Sequence, residues 1–240
     1  MKDLEINNEQ INCANEEMIK NSSDLLSKNI LFVNPSEVEN NLKTKFICIK
    51  SVNLKKIFPD KVNLQITGRI PVAILSIEDV QIASPSALLQ KFQESTVSAE
   101  STNSALFDFS NLTSKSNFLV DGEGVVFAPF SDQINLPKIY YDEMINLGQK
   151  GDDSIKNSLQ ILEKVKSFGL EVKEAKIYMQ NLLLASNPRI IFKLEDIEKQ
   201  LASLQLILNQ AKMNEDYLEF IDLRFDKPIV KFAPKKNGER

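Results

Sequence analysis

Residues 62–67 alternate strictly, with Val62, Leu64 and Ile66 on one parity and Asn63, Gln65 and Thr67 on the other. A period of two puts the apolar set on one face of a strand, and no helix accommodates it. The run Ile49-Lys50-Ser51-Val52-Asn53-Leu54 comes before it, and Phe58-Pro59-Asp60 lies between, so the two runs predict an antiparallel hairpin. Upstream, Asn34-Pro35-Ser36-Glu37 is a helix start. Asn34 can cap, Pro35 suits the first helical position, Glu37 falls three residues after the cap, and Val38 and Leu42 follow on one face. A helix over Asn15–Leu26 and a short strand at Glu5-Ile6 complete a β-α-α-β-β order. Gly68 to Ala73 then bends the chain and continues it extended.

Residues 84–117 are rich in Ser, Thr, Asn and Ala. They predict a short helix at Ala87–Phe92 and an aperiodic surface excursion over Glu94–Ser104. Order resumes at Phe118–Phe127, where two apolar runs flank Asp121-Gly122, a hairpin signal. Leu136-Pro137 leads into a segment with Tyr140 and Tyr141. Ile155, Leu159, Leu162 and Val165 hold helical spacing, with Asp153 or Ser154 as cap and Gly169 as stop. Ala175–Tyr178, Leu182–Ala185 and Arg189–Phe192 predict strands, and Ile197, Leu201, Leu204 and Leu208 a second amphipathic helix. Leu218–Phe225 predicts a final strand, extended past Pro228 by Ile229, Val230 and Phe232. The fold class is α+β: a β-α-α-β-β unit over 1–76, a start of the second unit with the polar insert over 77–117, a larger, mainly antiparallel β domain with two helices over 118–233, and a loose tail over 234–240.

Composition narrows the chemistry. There is no histidine and no tryptophan, and there are two cysteines and seven glycines. Histidine-based nucleophilic catalysis and imidazole metal ligation are excluded, as is a Cys₄ zinc site. No glycines form a phosphate-binding GxGxxG or GxxxxGK[ST] motif. A net charge of −4, with four arginines among 29 basic residues, argues against nucleic acid. No apolar run approaches the roughly 18 residues a membrane helix needs. Cys13 and Cys48 are too few for a disulfide framework; a single bridge would suit an oxidising compartment, but Cys48 sits in the apolar run Phe46–Ile49, so buried thiols are the favoured expectation. No cofactor, metal or small-molecule substrate is implied.

The first unit resembles a POTRA domain in the version found in the bacterial division family FtsQ/DivIB. Ile30, Val33, Leu42, Val52, Leu54, Pro59, Leu64, Ile66, Arg69, Pro71, Val72 and Ala73 fall in place. Three later features follow in the family's order: the "FLVDGEGVVF" hairpin at Phe118–Phe127, Leu136-Pro137, and the closing "IDLRF" of Ile221–Phe225. Two departures stand out. The family carries one transmembrane helix before the POTRA domain, which is not seen here, so an extracytoplasmic part is expected. Gly68 also stands where the family usually has an acidic residue before Arg69.

The resemblance implies a non-enzymatic scaffold on the extracytoplasmic face of the membrane at the division septum. The implied partners are FtsB/DivIC-like and FtsL-like division proteins, bound by the C-terminal strand region through β-augmentation. On that reading Arg224, Phe225, Ile229, Val230 and Phe232 are the partner-binding candidates, with Arg224 facing an acidic partner residue and the phenylalanines as anchors. Strand alternation reserves about half of these positions for the domain's own core, and Asp222 and Arg224 share a side and can contact each other. Two other readings compete. A POTRA module of outer-membrane assembly or secretion requires a barrel or further repeats. A carboxylate hydrolase requires Asp152, Asp153, Glu195 and Asp196 to converge; both pairs sit at predicted helix starts, where the helix dipole favours acids.

Overall fold

The computed structural model describes residues 3–9, 13–25, 29–78, 114–130, 134–214 and 217–233. The expected helix at Ala87–Phe92, the excursion at Glu94–Ser104 and the tail over 234–240 lie outside the described residues.

The first unit follows the expected order: β1 (Asp3–Glu9), α1 (Glu16–Ser23), a 3₁₀ turn (Ile30–Phe32), α2 (Pro35–Lys45), β2 (Ile49–Ile57) and β3 (Lys61–Gly68). Its three strands lie in the order β1-β3-β2, with β1 parallel and β2 antiparallel to β3. Val62, Leu64 and Ile66 are buried, and Ile19, Val38 and Leu42 of the two helices close over them. Asn34 Oδ1 accepts from the Ser36 amide at 3.1 Å, and Asn15 Oδ1 from the Met18 amide at 2.8 Å, so each helix starts on an Asn cap. The buried-thiol expectation is corrected. Cys48 is buried, but Cys13 is exposed, and the two form a disulfide with Cα atoms 6.3 Å apart.

The second unit begins earlier than the composition shift suggested. β4 (Pro71–Glu78), expected to extend the first unit, lies within a nine-stranded sheet and pairs with β5 (Ser114–Asp121) and β7 (Lys138–Tyr141). The remaining elements are β6 (Val126–Pro129), α3 (Asp153–Ser167), β8 (Glu174–Tyr178), β9 (Asn181–Ala185), β10 (Arg189–Lys193), α4 (Ile197–Met213), β11 (Leu218–Asp222) and β12 (Ile229–Phe232). The order is β12-β11-β10-β9-β8-β7-β4-β5-β6. Five of its eight ladders are antiparallel; β4–β7, β7–β8 and β10–β11 are parallel. Gly124, at φ +81°, closes the β5–β6 hairpin, and Gly169, at φ +85°, ends α3 as expected.

Helices α3 and α4 cover one face, where Ala73, Leu75, Ile77, Ile139, Ile177, Leu184 and Phe192 meet Ile155, Leu159, Leu162, Leu201 and Leu204. On the opposite face, Ile74, Leu119 and Phe127 join the core of the first unit, so that core runs across the junction. Further along this face Tyr140, Leu183, Ile191 and Phe220 form a narrow buried strip. Charged groups flank the strip: Arg189 bonds Glu219 at 3.1 Å and Glu174 accepts from Tyr140 Oη at 3.0 Å.

At the junction Arg69 reaches both units. Its backbone amide donates to Cys48 O at 2.7 Å and its Nε to Ile47 O at 3.1 Å. Its Nη1 meets Asp121 Oδ2 at 2.5 Å in the β5–β6 hairpin. Asp121 Oδ1 also accepts from the amides of Glu123 (3.0 Å) and Val125 (2.9 Å). The corner is thus held by a carboxylate 52 residues further along the chain.

Candidate partner-binding edge

The C-terminal region is not one extended strand. β11 ends at Asp222, residues 224–227 turn, and β12 returns antiparallel to β11, with Ile221 opposite Val230 and Asp222 opposite Ile229. Asp222 causes the break. Its buried carboxylate accepts the Arg224 amide at 3.1 Å, a local turn that competes with the ladder. It also grips the guanidinium, with Oδ1 to Nε at 2.9 Å and Oδ2 to Nη2 at 2.6 Å. The expected Asp222–Arg224 contact is therefore present. Arg224 then lies over the Phe225 ring, 5.6 Å from its centroid. A second tie, Lys199 Nζ to Asp226 Oδ1 at 2.7 Å, fixes the turn to α4. The Lys199 ammonium holds the Asp226 carboxyl below its ordinary value through this hydrogen bond.

The two ends of the large sheet differ. The outer edge of β6 is met at its start: Val126 donates to Gln149 O at 3.0 Å and accepts from Gly148 at 2.7 Å, and Val125 bridges to Lys150. Beyond β12 no strand lies among the described residues. An edge strand carries unpaired amides and carbonyls in a row, a template for another strand. Pro228 stands just before this edge, where no ladder donor is lost.

The five sequence candidates divide. Phe225, Ile229 and Phe232 are 53%, 54% and 52% exposed. Val230 packs against the helix-side core. Arg224 is in the turn, already paired with Asp222. Two neighbours were not singled out from sequence. Tyr217, an exposed aromatic, accepts from the Ala233 amide through its carbonyl at 2.7 Å. Lys231 pairs with Glu219 at 3.3 Å. A shallow depression of about 330 Å³ lies beside the turn, lined in part by Glu195, Lys199, Leu223 and Phe225.

The carboxylate pairs have local uses. Asp152 caps α3 by accepting from the Ile155 amide at 3.0 Å, a role expected of Asp153 or Ser154. Glu195 pairs with Lys193 at 2.5 Å, and all four acids are exposed. Among the described residues no three His, Cys, Asp or Glu side chains gather as a metal site, and no helix is long and apolar enough to cross a membrane.

The family model for the FtsQ-type POTRA domain matches residues 1–69, and that for the C-terminal domain of the cell division protein FtsQ/DivIB matches residues 111–224. The first span ends at the corner residue Arg69 and the second inside the Asp222–Arg224 turn, so β12 lies just past it. No curated protein matches the chain. The ordered pair of domains spans most of the sequence, and the chain belongs to the FtsQ/DivIB family of membrane-anchored, non-catalytic proteins of bacterial cell division.

Proposed function

We propose that this chain is the extracytoplasmic part of a division scaffold, and that it captures an FtsB/DivIC-like partner, itself paired with an FtsL-like protein, by adding a partner strand to β12. The observation that carries this reading is the outer edge of β12, beyond which no strand lies among the described residues. Backbone hydrogen bonds supply affinity and side chains supply register. Ile229 and Phe232 flank the incoming strand, Phe225 anchors it beside the turn, and Val230 serves the domain's own core. Arg224, held by Asp222 through Nε and Nη2, presents its remaining donors to an acidic partner residue.

The test is calorimetric titration of the chain with a synthetic peptide from the extracytoplasmic end of the FtsB/DivIC-like protein of the same organism. Phe232→Ala and Phe225→Ala are expected to weaken binding about tenfold each, at the ordinary scale of an interfacial aromatic. Arg224→Glu is expected to weaken it further. Unchanged affinity in all three variants, with unchanged circular dichroism, refutes the assignment.

A further inference from the structure

The first unit ends in an apolar tip that its own core does not use. Leu31 and Phe32, in the 3₁₀ turn, are 64% and 82% exposed; Ile57 and Phe58, where β2 turns into β3, are 40% and 64% exposed. Lys56 Nζ reaches Leu31 O at 3.5 Å, which brings the two segments side by side. Ile30 and Val33 on either side are buried, so the turn directs Leu31 and Phe32 outward while its neighbours anchor it. Clustered exposed apolar side chains with a polar rim mark a contact surface rather than ordinary surface scatter.

We propose that this tip dips into the headgroup region of a phospholipid bilayer, with Lys55 and Lys56 at the phosphate level. This rests on the reading of the chain as a membrane-anchored ectodomain. Three observations favour a bilayer over a protein partner. The tip is formed by two adjacent turns whose apolar side chains are 40–82% exposed, a shape that suits entry into headgroups. Lys55 and Lys56 stand against Asp60 at this end, and lysine stems lie along apolar surface while their ammonium groups reach phosphates. Finally, β1 runs parallel to β3 with Asp3 opposite Lys61, so the chain enters the sheet at the tip itself.

The sequence suits a direct test, because it has no tryptophan and no histidine. The chain is tethered by an N-terminal hexahistidine tag to phosphatidylglycerol/phosphatidylcholine vesicles containing a nickel-chelating lipid. Phe58→Trp, or Phe32→Trp should the first fold poorly, then reports from the tip, and Tyr217→Trp from the β12 end. A blue shift of the tip tryptophan and loss of its emission on lipids brominated in the acyl chains are expected. Both should vanish when Leu31→Ser and Ile57→Ser are added, and Tyr217→Trp should show neither. Tip emission identical on plain and brominated vesicles overturns the proposal and leaves the patch to a protein partner. The strand-capture titration is run without lipid, so failure of one reading is distinguishable from failure of the other.

Discussion

Replacing Arg69 with Met keeps the aliphatic stem and deletes the guanidinium that ties the two units together. The Arg69 and Asp121 side chains are 14% and 4% exposed, so the substitution strands a carboxylate inside protein. Breaking a buried pair by removing one partner costs about 3–5 kcal/mol. Asp121 keeps two backbone donors, the amides of Glu123 and Val125, which places the expected loss at the lower figure, about 3 kcal/mol. At this chain length each kcal/mol moves Tm by roughly 2–4 °C, so a fall of about 6–12 °C is expected. Urea unfolding followed by circular dichroism gives the free energy, and a thermal scan gives Tm. Asp121→Asn added to Arg69→Met supplies a sharper check. It removes the stranded charge yet leaves an amide oxygen for both backbone donors, so the double variant should regain about 1–2 kcal/mol over Arg69→Met. A loss under about 1 kcal/mol in Arg69→Met, the scale of an exposed ion pair, would refute the reasoning. So would a double variant weaker than the single.

Three further outcomes are expected. Cys13 and Cys48 should both resist thiol reagents even in urea until reduced, and reduction should lower stability by about 3–4 kcal/mol, on the chain-entropy account of a loop closed across 35 residues; two thiols that stay unreactive in the folded chain but react in urea without reductant would restore the buried-thiol reading. Phe192→Ala, fully buried in the helix-side core, should cost about 3–5 kcal/mol in the same assay. By NMR titration Asp226 should titrate below the ordinary carboxylate range and return to it in Lys199→Ala. Because its folded value is depressed, its stabilising contribution is present above the unfolded value and fades as pH falls through the folded one.

Local physics made much of the fold legible. Period-two burial at Val62, Leu64 and Ile66, the Asn34-Pro35 helix start, the Asp121-Gly122 hairpin and the Ile197–Leu208 apolar stripe each depend on residues a few positions apart. What sequence could not yield was pairing at long range. The parallel register of Ile74–Ile77 with Lys138–Tyr141 leaves no trace in either segment. Nor does anything near Arg69 announce Asp121, although both stood out as parts of separate motifs. The C-terminal strand departs from its sequence pattern for a different reason. Alternation runs on through Leu223 and Phe225, but the Asp222 side chain captures the Arg224 amide and ends the ladder, and a period count does not weigh side-chain competition for the backbone.

The junction also bears on what the open edge can do. The first unit's core reaches the large sheet through Ile74, Leu119 and Phe127, at the β4-β5-β6 end. β12 closes the opposite end. With neighbouring strands about 4.8 Å apart, seven steps from β5 to β12 span roughly 34 Å. A strand captured on β12 is thus held at a set distance from the apolar tip, provided the joint between the units is stiff. The shared core, the Arg69–Asp121 pair and the Arg69 bonds to Ile47 and Cys48 supply that stiffness. Cys48 also carries the disulfide to Cys13, so the segment leading from β1 is fastened to the same corner. Loosening it by Arg69→Met should leave the intrinsic affinity of β12 for a free peptide unchanged, because no residue at the edge is touched. It should broaden the distribution of distances between spin labels at the tip and the β12 turn. A weakened peptide titration with an unchanged distance distribution would mean that Arg69 acts on the edge itself rather than on the joint.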